Sequence, residues 1–126
     1  MKLTVIIPCY NEESTVKEII SLVKINISKN DEIIIVDDAS TDNTRNFIEE
    51  LSHENENISP VFHKNNQGKG ASIRSGIQIA RGDIVIIQDA DMEYDPADYK
   101  KLIKPIIEGR ADVVYGSRFK LSLIHI

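Results

Sequence analysis

The chain has 126 residues, 41% hydrophobic and 28% charged, which suits one small domain with a real core and leaves no room for two. Fifteen Lys and Arg against 20 Asp and Glu give a net charge of −5, which excludes the basic footprint of a nucleic-acid binder. The single cysteine, Cys9, excludes an internal disulfide and a cysteine-rich zinc site, and makes a reducing compartment the default. No apolar run approaches the ~18 residues of a membrane span, and Leu3–Ile7 is too short for a signal-peptide core. The expectation is a soluble, cytoplasmic domain.

Leu3–Ile7, ended by Pro8, reads as a buried strand. The period then changes: Val16, Ile19, Ile20 and Val23 fall on one helix face, with Asn11 or Ser14 as cap. Ile33–Val36 is a second buried strand ending in Asp37 and Asp38, and Ser40, Thr41 or Asp42 caps a helix carrying Phe47, Ile48 and Leu51. A third strand lies around Pro60–Phe62. Asn65–Gly70 reads as a loop, and Ala71, Ile73, Ile77 and Ala80 as the helix after it. Ile84–Ile87 is a fourth strand, followed by Gln88–Asp91. Asp95 caps a helix with Pro96 at its first position; Tyr99, Leu102, Ile103, Ile106 and Ile107 form its face, Pro105 sits inside it and Gly109 closes it. Asp112–Tyr115 is a fifth strand. Strands apolar on both faces and separated by helices predict an α/β fold, a Rossmann-like, doubly wound and mostly parallel sheet with helices on both faces.

Ligands of such sheets bind beyond the carboxyl ends of the strands. Glu12 follows the first strand, Asp37 and Asp38 the second, and Asp89 and Asp91 the fourth. A lone Asp at a strand end is ordinary cap or turn chemistry. Five acids converging on one edge repel one another unless a cation offsets them, and oxygen donors suit Mg²⁺ or Mn²⁺. In Asp89-Ala90-Asp91 the splayed carboxylates divide a metal from a ribose or a metal-bound water, and Glu93 lies two residues on. Gly68-Lys69-Gly70 offers amides and a cation to a phosphate but lacks P-loop spacing, and no dinucleotide fingerprint follows the first strand. Arg118 is placed to reach an anion. His53, His63 and His125 share no metal-ligand spacing and read as surface residues, and Cys9 as a small buried hydrophobe.

Five segments carry a resemblance: Val5–Glu12, Ile35–Thr44, Asn66–Gly70, Gln88–Pro96 and Val114–Phe119. In this order and spacing, over residues 3 to 119, they resemble the nucleotide-sugar-binding half of family 2 glycosyltransferases of the GT-A fold. The wording is similar to that of dolichyl- and polyprenyl-phosphate sugar synthases. The resemblance implies a donor site in which Pro8, Tyr10 and Glu12 meet the base and ribose of a GDP- or UDP-sugar, with Asn11, Val36, Asp37 and Asp38 beside them. Asp89 and Ala90 would line the ribose and diphosphate, and Lys69 and Arg118 would face phosphates. Asp91 would bind Mg²⁺ or Mn²⁺, with Asp89 and Glu93 completing the metal shell; some relatives carry Gln in place of Glu93. Asp91 and Asp89 are the implied catalytic pair.

The implied reaction inverts the anomeric centre by direct displacement. A lipid-phosphate acceptor arrives already anionic and needs no general base, whereas a glycan hydroxyl would need one. The expected domain is 1–119, the N-terminal part of a longer catalytic domain, and 120–126 stands apart as an atypical tail. Lipid-linked members imply peripheral association with the cytoplasmic membrane face through elements beyond this stretch.

Two other classes stay open at this point. A non-catalytic nucleotide-sugar-binding domain shares every donor-site residue. A response-regulator receiver shares the length and the alternation, but its acidic pair belongs after the first strand, where this chain has Pro8-Cys9-Tyr10.

Overall fold

In the computed structural model, which describes residues 2–90, 96–107, 113–116 and 121–125, strand and helix alternate as the periodicity requires. The strands are β1 (Leu3–Cys9), β2 (Glu32–Asp37), β3 (Ile58–Phe62), β4 (Ile84–Ile87), β5 (Val113–Gly116) and β6 (Leu121–His125). The helices are α1 (Val16–Ile25), α2 (Thr44–Glu54), α3 (Lys69–Ile79) and α4 (Tyr99–Ile107), the last preceded by a 3₁₀ turn at Pro96–Asp98. They build one six-stranded sheet of order β3-β2-β1-β4-β6-β5. β1 to β4 pair in parallel, while β6 lies antiparallel between β4 and β5. The 3-2-1-4 run is the Rossmann order; a receiver places its strands 2-1-3-4-5, so the fold removes that reading.

The pleat divides the core into two clusters. Leu3, Val5, Ile7 and Cys9 of β1 join Ile33, Ile35, Ile84 and Ile86 on one face. Val16, Ile19, Ile20 and Val23 of α1, Ile48 of α2 and Tyr99 of α4 cover them. Ile6, Ile34, Val36, Val85 and Ile87 point to the other face, beneath Ile73 and Ile77 of α3. Helices therefore lie on both faces.

Three local differences from the sequence reading have physical causes. α1 starts at Val16 with Thr15 at its N-cap position, where the Thr15 hydroxyl donates to the Ala90 carbonyl at 2.6 Å and not to the helix, and Asn11 stands off the helix at a positive φ of 53°. Asn11 and Ser14 are thus not its caps. Lys69 and Gly70 open α3 instead of ending the loop, since Gly68, at φ +94°, makes the turn that only glycine tolerates well. β6 occupies residues the sequence reading set apart as a tail; its five residues are too few for a period to be distinctive. Asp95 and Gly109, read as the ends of the last helix, lie outside the described residues.

α3 rides close to the sheet at Gly76, where an added Cβ would stand 2.7 Å from the Ile6 Cγ2 methyl. Both partners are buried, so neither has room to yield. Gly76→Ala is expected to lower stability by ~1–3 kcal/mol through overpacking, read as a reduced urea midpoint with an unchanged slope.

Candidate functional site: a polar cavity at the strand ends

In-register pairing sets Cys9 opposite Asp37 and Asp37 opposite Phe62, so β1, β2 and β3 end side by side. The Asp38 N–H continues the ladder to the Cys9 carbonyl at 2.9 Å, and the Gln88 N–H reaches the Ile6 carbonyl at 2.8 Å. Between β1 and β4 the winding reverses, which is where a crevice opens in such sheets. A cavity of about 160 Å³ lies there, lined by Pro8, Cys9, Tyr10, Glu12, Asp38, Lys69, Ser72, Asp89 and Ala90. A larger, mainly apolar cavity of about 680 Å³ sits where β1 and β4 begin, at the opposite end of the sheet.

The sequence-selected residues separate into three groups. Pro8, Tyr10, Glu12, Asp38, Lys69, Asp89 and Ala90 line the cavity together, with Tyr10 47% exposed at its mouth. Val36, Asp37 and Asn11 do not line it. Val36 is fully buried beneath α3 because an even-numbered β2 residue faces that helix. Asp37 is 1% exposed and accepts the Ser40 hydroxyl at 2.5 Å. Asn11 stitches two loops together: its N–H donates to Ser40 Oγ at 2.9 Å and its Oδ1 accepts the Thr41 N–H at 2.8 Å. Asp91, Glu93 and Arg118 lie outside the described residues.

The acids at this edge carry different loads. Lys69 Nζ forms an ion pair with Asp89 Oδ1, drawing a cation to the end of β4. Asp38 accepts the Gln67 N–H and His63 Nδ1 on Oδ1, at 2.9 and 2.8 Å, and the Gly68 N–H on Oδ2 at 2.9 Å. Burial pushes the Asp38 carboxyl up, but the bonds from Gln67, His63 and Gly68 outweigh it and hold it below the usual carboxylate range. In the loop before α2, burial likewise raises the Asp42 carboxyl, but its bonds from the Thr44 hydroxyl and N–H and the Glu13 N–H outweigh this and hold it below the usual carboxylate range. Burial pushes the Cys9 thiol far up, and the Asp37 and Glu12 charges add to this, so Cys9 stays a neutral thiol.

Sequence reasoning missed two participants. Ser72, one turn into α3, lines the cavity and is buried, its hydroxyl donating to the Gly68 carbonyl at 3.1 Å. His63, read as a surface residue, has a side chain only 7% exposed with both ring nitrogens engaged. The register was the signal for it: once β2 and β3 pair in parallel, the residues after Asp37 and Phe62 must be neighbours. As a metal centre the described part is incomplete. Asp89 offers a carboxylate oxygen, the hard donor that Mg²⁺ or Mn²⁺ takes, so its chemistry fits such an ion, and Lys69 is its counter-ion here. Among the described residues, no three His, Cys, Asp or Glu gather around one point.

Four parallel strands wound in this order, with helices on both faces and a polar crevice at the switch point, make an α/β fold of Rossmann-like type. The sequence profile of glycosyl transferase family 2 matches residues 4–122, and the chain belongs to that family. It is 34% identical over 120 residues to dolichol-phosphate mannosyltransferase of Pyrococcus furiosus, covering 94% of this chain and 34% of that protein. It is 35% identical over 130 residues to UDP-N-acetylglucosamine–dolichyl-phosphate N-acetylglucosaminyltransferase of Methanococcus voltae, covering 91% and 51%. The chain thus spans between a third and about half of these relatives' lengths. Among solved structures, S. aureus TarS in complex with UDP-GlcNAc superposes with a TM-score of 0.75 at 30% identity, over 91% of this chain and 34% of that one. The mannosyltransferase PcManGT of Pyrobaculum calidifontis, in complex with GDP-Man and Mn²⁺, reaches 0.82 over 98% and 44%, at 21% identity, a likeness of fold.

Both lowered carboxyls bind fewer protons folded than unfolded near pH 4. The stability they add is complete above about pH 4, the unfolded range, and is lost as pH falls through their lower folded values. Urea unfolding from pH 6 down to pH 2 should therefore show a falling midpoint, and Asp42→Asn should flatten that fall.

Proposed function

We propose that this domain binds the donor of a glycosyltransferase that moves a sugar from a GDP- or UDP-linked donor to a polyprenyl or dolichyl phosphate. One observation carries the reading: seven residues selected for donor contact line a single cavity at the switch point of the sheet. Tyr10 presents an exposed ring at the mouth, suited to stacking on a base. The amino end of α3, with Lys69 in its first turn, opens on the cavity and suits a diphosphate. The relatives' own names support a lipid-phosphate acceptor.

In this reading Asp91, with Asp89 and Glu93, holds Mg²⁺ or Mn²⁺. When bound, the ion neutralises charge on the leaving diphosphate. The chain's own residues do the rest by positioning. Pro8, Tyr10 and Glu12 orient the nucleoside, and Asp38 supports it from the loop side. Lys69 exchanges Asp89 for a phosphate, so the ammonium already in the cavity serves as counter-charge. The acceptor phosphate oxygen attacks the anomeric carbon in line, the bond to the diphosphate breaks with its electron pair, and the configuration inverts. A lipid-phosphate acceptor places this reaction at a membrane face. Among the described residues no helix is long and apolar enough to cross one.

Calorimetry with GDP and UDP, in Mn²⁺ and then in EDTA, tests the proposal. Metal-dependent binding of one nucleotide, abolished in Asp91→Ala, is the expected result, and a folded chain that binds neither refutes it. Lys69→Ala is expected to weaken nucleoside diphosphate binding about tenfold while leaving the nucleoside alone unaffected.

A further inference from the structure

His63 has no part in the chemistry above, yet it is held as firmly as any polar group near the cavity. It follows the edge strand β3, its N–H donates to the Asp37 carbonyl at 2.9 Å, and its ring bridges two elements. Nδ1 lies 2.8 Å from Asp38 Oδ1, and Nε2 lies 2.8 Å from Ser75 Oγ. A carboxylate only accepts, so Nδ1 carries the hydrogen toward Asp38, and in the neutral ring Nε2 accepts from the Ser75 hydroxyl. The connectivity is that of a nucleophilic triad. Its serine, however, lies in the middle of α3 and outside the cavity lining, so the chain of bonds ends on a helix and not at a reacting atom.

We propose that His63 is a positioning residue for the donor cavity: it ties α3 to the Asp38 carboxylate and so fixes the loop that sets Lys69 against Asp89. The inference rests on the donor-site reading above. Three observations converge on it. Asp38 lines the cavity, and its plane is pinned by His63 on Oδ1 and the Gly68 N–H on Oδ2. The loop between β3 and α3 has an exposed tip, and its Gln67 and Gly68 amides both end on that same carboxylate. Lys69, the next residue, makes the ion pair with Asp89. Loosening Asp38 therefore releases two loop amides and the residue that carries the cation. Ser75, six residues into the helix after Lys69, closes the circuit by holding the ring from the other side.

The test compares wild type, His63→Leu, His63→Asn and Ser75→Ala by hydrogen exchange without ligand and by GDP and UDP titration in Mn²⁺. In His63→Leu, exchange at the Gln67 and Gly68 amides should rise at least about tenfold while β1, β2 and β4 stay protected, and nucleotide affinity should fall about tenfold. His63→Asn, whose amide nitrogen can take the place of Nδ1, should restore both. If His63→Leu does not fold, Ser75→Ala stands in for it, with the same direction and an effect of about threefold. Unchanged loop exchange overturns the proposal, as does an Asn variant no better than Leu, because packing of the ring would then be its whole role. Labelling of Ser75 by a fluorophosphonate overturns it too, by making the relay a nucleophile. If wild type binds neither nucleotide, the donor-site reading fails, and exchange alone decides whether His63 positions the loop.

Discussion

Parallel pairing in register is the constraint from which the rest of this structure follows. Setting Cys9 against Asp37 and Asp37 against Phe62 makes three strands stop at one line. Whatever follows each strand is then delivered to the same edge: Tyr10 and Glu12, Asp38, and His63. The return of the chain to the far side of β1 adds Asp89 and Ala90 from β4. Residues up to 80 positions apart become neighbours without any of them having to be attractive to another. The side chains then refine a meeting that backbone hydrogen bonding arranged.

That refinement changes the electrostatic argument. From the sequence, five acids at one edge call for an external cation. In the structure the described acids already have protein donors: Asp37 takes the Ser40 hydroxyl, Asp38 takes two amides and an imidazole, Asp89 takes Lys69, and Glu12 lies 3.4 Å from the Thr15 hydroxyl. Much of the repulsion is met internally, by groups that hold loops in place. Acidic clustering alone is therefore weaker support for a metal than it looks, and weight shifts to the chemistry of Asp89 and its neighbours.

What was legible in the sequence follows the same division. The α1 face was readable because Val16, Ile19, Ile20 and Val23 obey one period and are all fully buried. Strands β1, β2 and β4 were readable as apolar runs too short for helices. Most of the cavity lining was readable because its residues sit within three positions of a strand end. Val36, Asp37 and Asn11 fall outside the cavity lining for a shared reason: adjacency in sequence does not say which side of the pleat a side chain takes, or whether a loop consumes it. His63 could not be seen at all before the pairing of β2 with β3 was known, since its partners are 25 and 12 residues away. Within β6, nothing distinguished a strand that joins the sheet against the prevailing direction.

The uneven roofing of the sheet has a consequence for how the domain breathes. On one face α1, α2 and α4 share the cover, so the loss of any one leaves two in place. On the other face, among the described residues, α3 alone shelters Ile6, Ile34, Val36, Val85 and Ile87. Release of α3 alone therefore uncovers that whole face, whereas no single helix uncovers the other. Lys69 and Ser72 of the cavity lining, and Ser75 behind His63, ride on that same helix, so any opening of this face carries the cavity's cation away with it.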